Sequence, residues 1–210
     1  MKFGLPKLYA ITDARLSGLS HAEQVLRLSD GGATLIQLRE KHKTPREFYE
    51  EAKVSLETAR ERNVTLIIND RVDIALILKS DGIHLGQDDM PPEAARKILG
   101  ADAIIGFSTH NIAQAIEATK RQVDYIAIGP IFGTTTKEKP DPIVGLEGLR
   151  RVRNAIGDFP LVAIGGITRE NAIDVLLAGA DSVALISALL GARDEIETRT
   201  QVVTEKLNYS

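Results

Sequence analysis

No cysteine occurs among the 210 residues, which excludes disulfides, thiolate-bound metals and cysteine nucleophiles together. Aromatic residues make up only 4%, so the core must be built from Ile, Leu, Val and Ala, as in buried parallel sheets. Positive charge is not in surplus. The 26 Lys and Arg stand against 29 Asp and Glu, and a net charge of −3 gives no reason to expect nucleic acid as a partner. A small anion remains compatible, because it needs only a local pocket. No run of about 18 apolar residues is available for a membrane span. The opening "MKFGLPKLYAITD" carries no apolar stretch long enough for a signal peptide. A soluble, cytoplasmic protein that does not associate with membranes is expected.

The composition, 43% hydrophobic and 26% charged, suits one compact domain over residues 1–210. Short apolar runs recur along it: "LYAIT", "ATLIQL", "TLIIN", "GIHLG", "AIIGFS", "YIAIG", "LVAIGG" and "SVALIS". These are eight strand candidates of the nearly continuous apolar kind that parallel strands require. Helical spacing fills the intervals. One helix is expected to start at Ser20 and stop at Gly31 and Gly32; another has Thr44 as cap, Pro45 at its first position and Glu47 at the capping-box place. Eight strand-helix units imply an α/β fold, the (β/α)8 TIM barrel. A doubly wound open sheet is the alternative, but no Gly-rich dinucleotide fingerprint follows the first strand.

A barrel places functional side chains at the C-terminal ends of its strands. Those positions hold Asp13; Gln37, Arg39, Glu40 and Lys41; Asn69, Asp70 and Arg71; Gln87, Asp88 and Asp89; Ser108 to Asn111; the run "GTTTK"; Gly165 and Gly166; and Ile186 and Ser187. Arg39, Lys41 and Lys137 are cationic and Asn69 and Ser108 are neutral hydrogen-bonders, a mixture suited to a diphosphate. A solvated helix start is the plainer explanation of "REK". Asp70 and either Asp88 or Asp89 end neighbouring strands, where a divalent ion such as Mg²⁺ would relieve their repulsion. Each could instead cap the following helix. Gly166 and the small residues after strand 8 suit a second anion, a phosphate held by backbone N–H groups, although a glycine pair also makes a tight turn. Thr134, Thr135 and Thr136 lie between the two sites. The four histidines form no metal cluster: His21 and His42 are expected on surfaces, and His84 inside a strand in a core or supporting role.

In this order, "YAITD", "IQLREK", "LIINDRVDIAL", "DGIHLGQDDMP", "IIGFSTHN", "YIAIGPIFGTTTK", "KPDPIVGLEGLRRVR", "VAIGGIT" and "GADSVALISAL" resemble thiamine phosphate synthase from about residue 8 to 190. The resemblance implies a transferase. It would couple 4-amino-2-methyl-5-(diphosphooxymethyl)pyrimidine to 4-methyl-5-(2-phosphooxyethyl)thiazole, releasing pyrophosphate. It further implies Asp70 and Asp89 as Mg²⁺ ligands, and Gln37, Leu38, Arg39, Glu40, Lys41, Asn69, Ser108 and Lys137 as contacts of the pyrimidine diphosphate. Among these, Arg39, Lys41, Ser108 and Lys137 would carry catalysis. Thr134, Thr135, Thr136, Gly166, Ile186 and Ser187 would hold the thiazole phosphate. A thiazole tautomerase of the same fold is the nearest rival. Such relatives tend to lose the metal acids and diphosphate-binding residues, which are retained here. A non-catalytic thiamine-phosphate-binding module is a third possibility. The chain departs from the family at Gly133, where proline is usual, so greater mobility at 133–139 without ligand is expected.

Overall fold

The protein is described from a computed structural model over residues 4–134 and 141–208. In chain order the elements are β1 (Leu8–Ile11), α1 (Ala14–Ser17), α2 (His21–Asp30), β2 (Leu35–Leu38), α3 (Pro45–Glu61), β3 (Thr65–Asn69), α4 (Val72–Leu78) and β4 (Gly82–Leu85). They continue with α5 (Pro92–Leu99), β5 (Ile104–Thr109), α6 (Ile112–Ala118), β6 (Tyr125–Ile128), α7 (Gly145–Ile156), β7 (Leu161–Ile164), α8 (Ala172–Leu177), β8 (Ser182–Leu185), α9 (Ser187–Leu190) and α10 (Ile196–Asn208). All eight strand candidates form, and they close into a parallel barrel in which β1 pairs with both β2 and β8. The expected caps also form. Ser20 and Glu23 make a capping box on α2, as do Thr44 and Glu47 on α3, with Pro45 in its first turn. No helix among the described residues is long and apolar enough to cross a membrane.

Side chains alternate across each strand, and the alternation divides the apolar residues into two cores. Tyr9, Ile11, Leu35, Ile67, Tyr125, Ala127, Val162 and Ala184 fill the barrel interior. Their neighbours Ala10, Ile36, Leu38, Leu66, Ile68, Ile83 and Leu85 belong to the larger layer beneath the helices. The same parity turns Gln37, Asn69, His84 and Ser108 inward.

At the opposite rim a carboxylate one residue before each of three even strands accepts a backbone N–H from the preceding odd strand. Asp81 accepts from Leu66 at 2.8 Å, Asp124 from Ile105 at 2.7 Å and Asp181 from Leu161 at 2.8 Å. Arg96 and Arg153 donate to the last two carboxylates, each at 2.6 Å. Charge-assisted bonds of this kind are the stronger ones, and here they fasten strand pairs rather than build a site.

Candidate active site

A cavity of about 540 Å³ opens at the C-terminal ends of the strands. Its floor is apolar and comes from the interior core: Tyr9, Ile11, Ala127, Val162, Ile164 and Ala184. Its rim is polar. Of the residues expected there, Gln37, Arg39, Lys41, Asn69, Asp70, Asp89, Ser108, Thr134, Gly166, Ile186 and Ser187 line it together. Thr135, Thr136 and Lys137 lie outside the described residues, as does most of 133–139; Gly133 itself is exposed.

Two residues expected at the site stand elsewhere. Leu38 is fully buried in the layer under the helices, because strand parity turns it away from the barrel axis. The Glu40 carboxylate accepts from the backbone N–H of His42 at 2.7 Å and of Lys43 at 3.3 Å, and bonds His21 Nε2 at 3.2 Å. It ties the segment after β2 into shape behind the rim. His21 is not on the surface as the sequence suggested. It is wholly buried on the inner face of α2, and its Nδ1 lies 2.8 Å from Thr12 Oγ1. Burial, chiefly, holds its pKa below the ordinary histidine value, opposed by the neighbouring Glu40 and Glu51 carboxylates. Thr12 Oγ1 in turn accepts the Arg39 N–H at 3.2 Å, so His21 supports the backbone from which Arg39 projects. Arg39 Nη1 lies 3.6 Å from Asp13, whose carboxylate also accepts the Leu16 N–H at the start of α1.

The acids are not helix caps. Arg71 stands at the cap of α4 and Pro91 at that of α5, neither with a side-chain cap bond. Asp70 has a left-handed backbone, φ 63°, and its carboxylate accepts from Lys41 Nζ. Asp89 accepts the Gly86 N–H at 2.6 Å, while Asp88 is exposed beside it. Burial and the adjoining Asp70 carboxyl raise the Asp89 pKa against the pull of the Gly86 N–H and Lys41. Two carboxylates therefore meet at one point, with an ammonium already drawn to it.

At the other end, Gly165 and Gly166 have φ values of 98° and 63°. A Cβ on Gly165 would lie 2.5 Å from Pro130 Cβ, and one on Gly166 would lie 2.4 Å from the Gly133 carbonyl oxygen. The glycine pair is needed for the segment after β6 to lie against the segment after β7, as the Ile131 and Phe132 N–H bonds to Ile164 and Gly165 carbonyls confirm. Ser187 is exposed at the start of α9, facing the same end of the cavity.

His84 stands inside β4 in the supporting role expected of it. It is inward-facing, bonding Tyr125 Oη at 3.0 Å through Nδ1 and Ser108 Oγ at 2.8 Å through Nε2. Counting alternate residues from Gly82 places it inside the barrel, and that signal was available in "GIHLG".

Residues 8–189 match the family model for thiamine monophosphate synthase. A thiamine-phosphate synthase of Clostridium novyi is 50% identical over 192 residues, covering 91% of this chain and 93% of its own. That of Chloroflexus aurantiacus is 47% identical over 189 residues, covering 90% and 87%. The solved thiamine phosphate pyrophosphorylase of Pyrococcus furiosus superposes with a TM-score of 0.85 at 40% identity, over 96% of each chain. With a closed eight-stranded barrel and this rim, the chain belongs to the thiamine monophosphate synthase family of transferases.

Proposed function

We propose that the enzyme joins the pyrimidine diphosphate to the thiazole phosphate with Mg²⁺ present, yielding thiamine phosphate and pyrophosphate in the cytoplasm. One observation carries the proposal: Arg39, Lys41, Asp70, Asp89, Asn69 and Ser108 converge at one end of a single cavity whose other end is Gly166 and Ser187. The donor set fits a hard divalent ion. Two adjoining carboxylates attract one, and no cluster of three or more potential ligands among the described residues would enclose it, which leaves positions for phosphate oxygens and water. When bound, the ion supplies positive charge against the diphosphate leaving group.

The chain's own residues account for the rest. Asp70 and Asp89 would hold the ion. Arg39 and Lys41 donate to the diphosphate as the pyrimidine-methylene C–O bond breaks and both electrons leave with oxygen. Asn69 and Ser108 add neutral donors. The apolar floor excludes water from the pyrimidine cation until the thiazole nitrogen supplies the electron pair for the new C–N bond. No protein nucleophile is needed. Thr134, Gly166, Ile186 and Ser187 orient the thiazole phosphate.

Purified protein given both substrates and Mg²⁺ is expected to release pyrophosphate in step with thiamine phosphate, and to release none with EDTA or without the thiazole phosphate. Tight binding of either substrate with no release would overturn the proposal. Gly166→Ala would push the Gly133 carbonyl away and disturb the thiazole-phosphate end alone. The KM for that substrate should rise about tenfold or more, with the pyrimidine diphosphate KM unchanged within about twofold. Equal rises for both substrates in steady-state kinetics would place the damage elsewhere.

A further inference from the structure

A chain of buried hydrogen bonds crosses the barrel beneath the cavity. Gln37 Nε2 donates to Tyr9 Oη at 3.1 Å; Tyr9 Oη and Tyr125 Oη are 2.8 Å apart; Tyr125 Oη is 3.0 Å from His84 Nδ1; His84 Nε2 is 2.8 Å from Ser108 Oγ. The rings are held closely. Tyr9 meets Tyr125 edge-on with centroids 5.9 Å apart, and His84 stacks on Tyr125 at 5.6 Å. Gly106 lies under the crossing, where a Cβ would come within 2.0 Å of Tyr125 Cζ and 2.5 Å of His84 Nδ1. The strand leaves room for this contact only because that residue is glycine.

We propose that Tyr125 and His84 are positioning residues that lock the Ser108 hydroxyl as a hydrogen-bond donor toward the cavity, a role that rests on the proposed function of Ser108 as a diphosphate contact. A phenol has one proton to give. The Gln37 N–H already donates to the Tyr9 oxygen; in the polarity proposed, Tyr9 gives its proton to Tyr125, and Tyr125 gives its own to His84 Nδ1. The imidazole proton then sits on Nε2 and is donated to Ser108 Oγ. Ser108 keeps its own proton for a ligand. The opposite polarity would commit that proton to His84 and turn only lone pairs toward an anionic occupant. Burial sustains the directional chain: it raises the pKa of both tyrosines, so neither loses its proton, and lowers that of His84 to about 4, so the ring is neutral with a single N–H.

Long-range ¹⁵N–¹H correlation spectra of ¹⁵N-labelled protein test the tautomer directly, with the His84 signals assigned by their loss in His84→Gln. The Nε2–H form is expected between about pH 6 and 8; an Nδ1–H or doubly protonated ring overturns the proposal. Function is tested with Tyr125→Phe, which keeps the ring and removes the proton that fixes Nδ1 as acceptor. Its kcat/KM for the pyrimidine diphosphate should fall about tenfold, with the thiazole phosphate KM unchanged, and the same change in a Ser108→Ala background should cost less than about twofold. An equal loss in both backgrounds means that Tyr125 acts through packing alone, and overturns the positioning role. If the wild-type protein releases no pyrophosphate, the proposed function fails while the spectra still decide the tautomer.

Discussion

Asp89→Asn is expected to lower Mg²⁺-dependent pyrophosphate release by about a hundredfold or more, yet to raise the thermal midpoint of the metal-free protein by a few degrees. Both effects have one cause. Asp89 is partly buried and stands beside the Asp70 carboxyl, and both circumstances raise its pKa. An acid with a raised pKa in the folded state opposes folding once ionised: the folded protein binds the proton more readily than the unfolded chain, so stability falls as pH rises through that pKa. Asparagine keeps an oxygen for the Gly86 N–H, bonded here at 2.6 Å, and removes the charge. A divalent ion needs the charge that the empty fold would be better without. Steady-state rates at saturating Mg²⁺ and melting curves in EDTA measure the two sides. Activity within about threefold of the parent would remove Asp89 from the metal site, and a lowered midpoint would show that its carboxylate stabilises the fold instead.

The second large effect is loss of stability in mild acid. His84 is buried and its pKa is lowered to about 4, first by desolvation and further by Lys41, with Asp89 opposing. An imidazole held at about 4 rather than the usual 6.5 is worth about 3 kcal/mol of pH-dependent stability. The unfolded chain binds the proton first, so this stability is fully present above the unfolded value and is lost as pH falls from about 6.5 toward 4. His21, also lowered chiefly by burial, acts in the same direction. Depressed carboxylates contribute too, but at lower pH: Glu93, paired with Arg121, titrates at about 2 in the fold, and its unfolded value is 4.5. Asp89 works against the trend, so the cleanest measurement uses Asp89→Asn. Urea unfolding should show a loss of about 2 kcal/mol between about pH 7 and 5. A flat profile across that interval would mean that His84 is charged or solvated in the fold.

Most of the architecture is legible in local sequence because local physics decides it. The eight apolar runs are buried on both faces, and Ser20 with Glu23 and Thr44 with Glu47 satisfy helix-start N–H groups within four residues of one another. The rim was legible through the barrel rule about strand ends, which located Arg39, Asn69 and Ser108 without a contact map. Strand parity was the unused signal: it sends Leu38 outward and His84 inward. Helical periodicity was another, since His21 shares its buried face with Gln24, Val25 and Leu28. The remainder depends on distant parts of the chain. That Asp70 adopts a left-handed backbone and bonds Lys41 instead of capping α4 reflects a partner 29 residues away. That Gly106 must be glycine reflects Tyr125, which faces it from the next strand.

The three carboxylate clamps at the N-terminal rim also bear on how the ring assembles. They join residues only 15, 19 and 20 positions apart, linking β3 to β4, β5 to β6 and β7 to β8. Such short loops close at little entropic expense, whereas bringing Leu8 against Val183 costs about 2 kcal/mol more in chain entropy. The three tied pairs are therefore natural early folding units, and the β8–β1 seam, where no such carboxylate clamp is seen among the described residues, is the natural last step. Under native conditions, amide hydrogens along that seam are expected to exchange with solvent through smaller openings than those of the clamped pairs.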